Sequence, residues 1–178
     1  MDPIEYHTID KSTWDDGPWK SEPDKKQWTD PDTGLWCLVM RGPMGGLCGY
    51  VGVPPTHSFS GVGYSSKAPE MDCGDMCHKD GDYHCECTPG WIIEVHGGLT
   101  FSGSWIEEVS SDIPFTTHWF GFDCGHAGDY LPALYPDPKL RAEMKAKFSD
   151  GHEIYRDLAY VEAQVTSLAK QLKALEFA

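Results

Sequence analysis

The spacing of apolar positions changes once along the chain, near residue 150. Before that point apolar residues come in short runs bounded by Gly and Pro. After it they recur every three or four residues. Residues 35–40 (LWCLVM) and 47–53 (LCGYVGV) have strand character, and the intervening RGPMGG is a turn, so together they predict a β-hairpin. Residues 91–95 (WIIEV) predict another strand, followed by the turn-prone HGG and a short LTFSG. A further strand is expected at 117–122 (THWFGF). Residues 54–90 are loop-rich, and DCGHAGDYLPALYPDP after the last strand is a loop.

Ile154, Leu158, Val161, Val165, Leu168, Leu172 and Leu175 are spaced alternately four and three apart, an apolar seam on a helix of about residues 152–176. A shorter helix is expected at about 138–148. Two readings of the seam stand side by side: a helix covering the sheet, or a coiled-coil contact joining copies of the chain. The expected fold class is α+β, an antiparallel sheet of about four to six strands with a long C-terminal helix and a Cys-rich loop. The expected organisation is an arm at 1–33, a core at 34–138 containing the Cys-rich loop 70–90, and C-terminal helices at 139–178. The arm has no apolar period, yet Trp14, Trp19 and Trp28 are unusual for a disordered tail. An extended arm pinned to the domain by tryptophans fits better.

Composition sharpens this picture. A length of 178 residues suits one domain with its own core. No apolar run approaches the ~18 residues of a membrane span, and the acidic N-terminus does not read as a signal peptide. A cytoplasmic location, in the host cell if the chain is phage-encoded, is the expectation. The net charge is −14, from 14 Lys and Arg against 28 Asp and Glu. Residues 34–138 carry only three of the bases, Arg41, Lys67 and Lys79, against 13 acids. Such a field repels polyphosphate backbones and argues against nucleic-acid binding. A small phosphorylated ligand remains compatible, because a few backbone N–H groups and one or two arginines suffice for it.

Four of the seven cysteines fall within fifteen residues. Cys73-x3-Cys77 and Cys85-x-Cys87 offer four thiolates from two short loops, the donor set of a structural zinc, with His78 or His84 as substitutes. An exposed or partly disulfide-bonded loop is the plainer alternative. Three further places bring reactive side chains to strand ends beside Gly or Pro, where loops commonly build sites. They are His57 after Gly52-Val53-Pro54-Pro55, His96 before Gly97-Gly98, and the run Asp123-Cys124-Gly125-His126-Ala127-Gly128-Asp129. Cys124 is a candidate thiolate nucleophile if a histidine such as His96 lies beside it. Asp123, His126 and Asp129 suit a cation or the orientation of a ligand. Arg41 is the one arginine of the central region, and so the expected phosphate partner there. His96 also has a plain reading as a turn histidine bonded to backbone, and the run ending at Asp129 one as a structural turn with a buried Cys.

The segments EPDKKQW (22–28), TGLWCLVMR (33–41), LCGYVGVPPTH (47–57), EVHGGLTFSG (94–103), WFGFDCGHAGD (119–129) and YRDLAYVEAQVTSLAKQL (155–172) cover most of the chain. In them it resembles a family of small proteins encoded by tailed bacteriophages and prophages. That resemblance supplies a context and no reaction. It implies an accessory protein, with counter-defence by binding a nucleotide-type immune signal as the leading reading. Arg41, His57, His96, Asp123, His126 and Asp129 are then the expected ligand residues. The acidic central region makes this depend on Arg41, Lys25, Lys26 or Arg156 converging on the pocket. His96 before Cys124 is also similar to the residue order of circularly permuted papain-like hydrolases. Here, however, Cys124 is followed by Gly-His-Ala-Gly-Asp and then Pro132, so no helix starts at the nucleophile. The alternatives to a sequestering protein are therefore a Cys/His or metal-dependent hydrolase of such a ligand, and a structural or protein-binding phage factor. A homo-oligomer through the C-terminal helix is expected.

Overall fold

The structure is a computed structural model that describes residues 1–67, 88–104, 112–135, 137–148 and 152–176. Among these residues six strands form one sheet: β1 (Ile4–Tyr6), β2 (Lys25–Thr29), β3 (Trp36–Arg41), β4 (Leu47–Val53), β5 (Phe101–Gly103) and β6 (His118–Asp123). Their order is β1-β2-β3-β4-β6-β5, and every neighbouring pair is antiparallel. Among the described residues three α-helices accompany them: a single turn α1 (Pro89–Ile92), α2 (Pro138–Phe148) and α3 (Leu158–Ala174). The α+β class expected from the pattern is the observed one.

The β3–β4 hairpin forms where the alternation places it. Its turn is closed by the amide of Gly42 donating to Gly46 O at 2.8 Å and that of Gly45 donating to Gly42 O at 2.9 Å. Gly45 has φ +87°, and a Cβ there would come within 2.9 Å of the backbone nitrogen of Ala133, so both conformation and space call for glycine.

Side chains alternate across the central strands. Cys37 and Val39 of β3, Leu47, Val51 and Val53 of β4, and Phe120 and Phe122 of β6 share one buried face. On that face lies α3, which buries Val161, Val165, Leu168, Ala169 and Leu172 completely. The opposite face carries a smaller cluster of Leu38, Ile113 and Trp119, with Trp36, Met40, Tyr50 and Phe101 around it.

Four expectations change. The apolar seam of α3 is covered by its own sheet, so it is not a free face for a coiled coil between copies. The helix also starts at Leu158 rather than near 152. Asp157 caps it by accepting the Tyr160 amide at 2.8 Å, and Ile154 instead makes a parallel bridge with Asp129 and is 55% exposed. WIIEV is no strand. After the turn α1, the backbone of Glu94 and His96 is held by the side chains of Gln171 and Gln164 on α3. Finally, residues 1–33 are part of the sheet rather than an appendage, because they supply β1 and β2. Trp19 is buried, stacked on Tyr130 at 5.3 Å and edge-on to Tyr155 at 4.9 Å between ring centroids.

No helix among the described residues is long and apolar enough to cross a membrane. The cysteine cluster of Cys73, Cys77, Cys85 and Cys87, with His78 and His84, lies outside the described residues.

Candidate functional site

Three segments meet at one end of the sheet: the turn 95–98 before β5, the loop 124–130 after β6, and residues 154–157 entering α3. The first turn is set by Gly97 (φ +67°) and Gly98 (φ +85°), with the Gly98 amide donating to Val95 O at 3.0 Å. The loop after β6 closes on itself. The Asp129 amide donates to His126 O, and the His126 amide donates to Asp129 Oδ2, both at 3.0 Å. The bridge between Asp129 and Ile154 then brings Arg156 alongside.

Asp129 is the hub. Its side chain is 2% exposed; Oδ2 lies 2.8 Å from His96 Nε2, and Oδ1 accepts from Arg156 Nε at 2.9 Å. The other ring nitrogen of His96, Nδ1, lies 3.0 Å from the Tyr160 hydroxyl, while its backbone amide donates to Gln164 Oε1. His126 stands edge-on to His96, with 5.4 Å between ring centroids. Its Nδ1 is a buried atom without a hydrogen-bond partner, 3.8 Å from Asp129 Oδ2. Burial works against the charge on Asp129, but the hydrogen bonds from His96, Arg156 and the His126 amide outweigh it and hold the carboxyl below its ordinary range. The His126 ring is 35% and the Arg156 side chain 26% exposed, so one side of the cluster faces solvent.

Of the residues expected from the sequence, His96, His126 and Asp129 come together, and Asp123 stands at the rim, 4.0 Å from His126 Nδ1. Cys124 lies in the hydrophobic core. Burial, aided by the charge of Asp129, pushes its thiol up to about 12. Both nitrogens of His96 are engaged by other groups, so the thiolate–imidazole pair of the hydrolase reading is not formed. Native protein at mildly alkaline pH is therefore expected to protect Cys124 from alkylation until it unfolds, a difference that mass mapping after iodoacetamide labelling reads directly.

Two expected ligand residues lie elsewhere. His57 is buried, with Nε2 2.9 Å from Leu172 O and Nδ1 accepting the Phe59 amide. It thus closes the C-terminal end of α3, about 18 Å along that helix from Tyr160 at 1.5 Å per residue. Arg41 is buried too. Its guanidinium donates to Asp24, Glu22, Gly45 O, Pro23 O and the Tyr155 hydroxyl, which leaves none of it for a ligand. A cleft of about 300 Å³ opens nearby, but its Lys11 and Lys20 are already paired with Asp24 and Asp16.

Of the four basic residues on which a phosphate site depended, Arg156 alone reaches the cluster. Lys26 pairs with Glu5 and Glu162, and Lys25 sits over the Tyr6 ring. Tyr160 and Gln164 were not singled out in the sequence. A signal existed: Arg156, Tyr160 and Gln164 are spaced four apart, off the apolar seam.

No protein-family model, curated protein or solved structure matches the chain.

Proposed function

We propose that this chain is a bacteriophage accessory protein that binds and sequesters a small phosphorylated, nucleotide-type ligand, in a counter-defence role. One observation carries the reading: Arg156 and His126 stand together at the open side of the Asp129 cluster with hydrogen-bonding capacity to spare. Arg156 uses Nε on Asp129, and its terminal nitrogens hold no partner among the described residues. The carboxylate and the Tyr160 ring, 5.0 Å from the guanidinium carbon, fix its direction. A guanidinium held in this way presents two parallel N–H groups to a phosphate at little cost in side-chain order. The phage resemblance supplies the context. The negative field of the central region fits a small anion better than a nucleic acid.

The test is calorimetric titration of the purified chain with a panel of mononucleotides and cyclic oligonucleotides, repeated with Arg156→Ala. Binding by one member of the panel, weakened about tenfold or more by the variant, is expected, since a charge-assisted hydrogen bond contributes about 1.5–3 kcal/mol. No binding across the panel, or binding indifferent to Arg156, overturns the proposal. Heat-denaturing the complex afterwards separates the two modes of action. A sequestering protein returns its ligand intact; a hydrolase returns product. The second reading, a metal-dependent hydrolase of such a ligand, is supported by His96, His126 and Asp129, whose donor atoms lie within 4.8 Å of one another.

A further inference from the structure

We infer that His96, His126 and Asp129 form a site for a divalent first-row transition ion of the zinc class, with coordination positions left open to solvent. The three donors, one atom from each residue, lie within 4.8 Å of one another. Around a tetrahedral ion with bonds of ~2.0–2.1 Å, neighbouring donors stand about 3.3–3.4 Å apart. The Asp129 Oδ2 distances of 2.8 Å to His96 and 3.8 Å to His126 bracket that separation, so small rotations of the side chains suffice. Two imidazoles and one carboxylate suit zinc and its neighbours better than calcium or magnesium, which prefer all-oxygen shells.

Three features of the surroundings favour metal binding over a chance cluster. The first is the buried, partnerless Nδ1 of His126, a lone pair or proton that nothing among the described residues satisfies. The second is the support behind the donors. Metal-binding histidines are usually oriented by a hydrogen bond at the other ring nitrogen, and ligating carboxylates by one at the other oxygen. Here the Tyr160 hydroxyl stands behind His96, and Arg156 behind Asp129. The third is the space made for His126. A Cβ on Gly97 would lie 2.1 Å from its Cε1, so the left-handed glycine turn leaves room for this ring in this position.

Three protein donors are one fewer than a closed structural zinc site uses. The remaining positions face the exposed side of His126, where Arg156 adds a positive charge. That charge weakens cation affinity somewhat and favours an anionic group completing the shell. The inference stands on the three donors and does not depend on the nucleotide reading.

The experiment is titration of chelator-stripped full-length protein with cadmium and cobalt(II). It is followed by cadmium NMR and visible absorption, for the wild type, His126→Ala and Asp129→Asn. Cadmium NMR separates this site from thiolates of the Cys-rich segment, because sulfur ligands move the resonance far from the nitrogen and oxygen range. The expected result is one resonance in the nitrogen/oxygen range, with cobalt affinity at this site falling at least about tenfold in His126→Ala, since even residues behind a ligand change affinity by 10–100-fold. The partly exposed His126 ring makes His126→Ala the variant least disruptive to the fold, and far-UV circular dichroism checks that it stays folded. A spectrum with sulfur-range signals alone, or a nitrogen/oxygen signal unchanged in folded His126→Ala, overturns the site. Metal binding without any nucleotide binding leaves this inference standing and removes the ligand proposal; the reverse result does the opposite.

Discussion

Asp24→Ala is expected to destabilise the protein by about 3–5 kcal/mol, the usual cost of removing one partner from a buried ion-pair network. The Asp24 side chain is 3% exposed, and four donors converge on it: the Thr8 and Ile9 amides at 2.7 Å each, Lys11 Nζ at 2.6 Å and Arg41 Nε at 3.2 Å. Without the carboxylate, two buried cations lose charge compensation, and among the described residues Glu22 is the one acid still paired with Arg41. Urea denaturation with an unchanged slope reads the loss; a change below about 1 kcal/mol would show the network to be dispensable. Asp24→Asn, which keeps the shape and an acceptor oxygen, should lose less.

The same residue gives the pH dependence its sign. Burial raises the Asp24 carboxyl, but the hydrogen bonds from Lys11, Ile9 and Thr8 outweigh it and leave it below its ordinary value, as with Asp129. A depressed folded value means stability that is fully present above the unfolded value of about 3.9 and is lost as pH falls through the folded one. Acid unfolding is therefore expected to steepen below about pH 4, and less so in Asp24→Asn.

Leu168→Ala should cost about 2–5 kcal/mol, the range for emptying a fully buried leucine site. The loss should not vary with protein concentration. Leu168 belongs to the seam that could have joined two copies, but in the structure its middle, Val161, Val165, Leu168 and Leu172, is buried within one chain. Gly49 explains how closely α3 approaches: a Cβ there would lie 2.6 Å from Val165 Cγ2 and 2.5 Å from the Phe122 ring. Light scattering and thermal melts at several concentrations check this. A midpoint rising with concentration would restore the intermolecular reading.

Arg41 and His57 illustrate where reasoning from residue type goes astray. An isolated arginine in an acidic region resembles a ligand cation, yet Arg41 is neutralised by Glu22 and Asp24 from the segment leading into β2. It is also capped by Tyr155, 114 residues further along. His57 stands after a rigid Pro-Pro loop like a site residue, but the carbonyl it meets belongs to Leu172, 115 residues away. WIIEV has the apolar density of a strand, and its backbone is instead satisfied by two glutamines of α3. In each case the deciding partner is distant in sequence.

The hairpin, the strand at 118–123, the short helix at 138–148, the α+β class and the apolar face of the last helix were legible in the sequence alone. Each follows from the geometry of a single element: a period of two for a strand, 3.6 for a helix, and turn residues between them. The candidate site was legible in part. His96, His126 and Asp129 could be marked as reactive side chains at strand ends, but nothing local says that they meet. Their meeting depends on α3 lying across β3 and β4, which carries Tyr160 and Gln164 to the turn at 96. It depends also on the bridge between Asp129 and Ile154, which sets Arg156 against Asp129. These contacts close loops of 25 to 68 residues. Packing of the apolar face decides them, because burying that face positions the helix, and the helix then positions the polar groups on its flank.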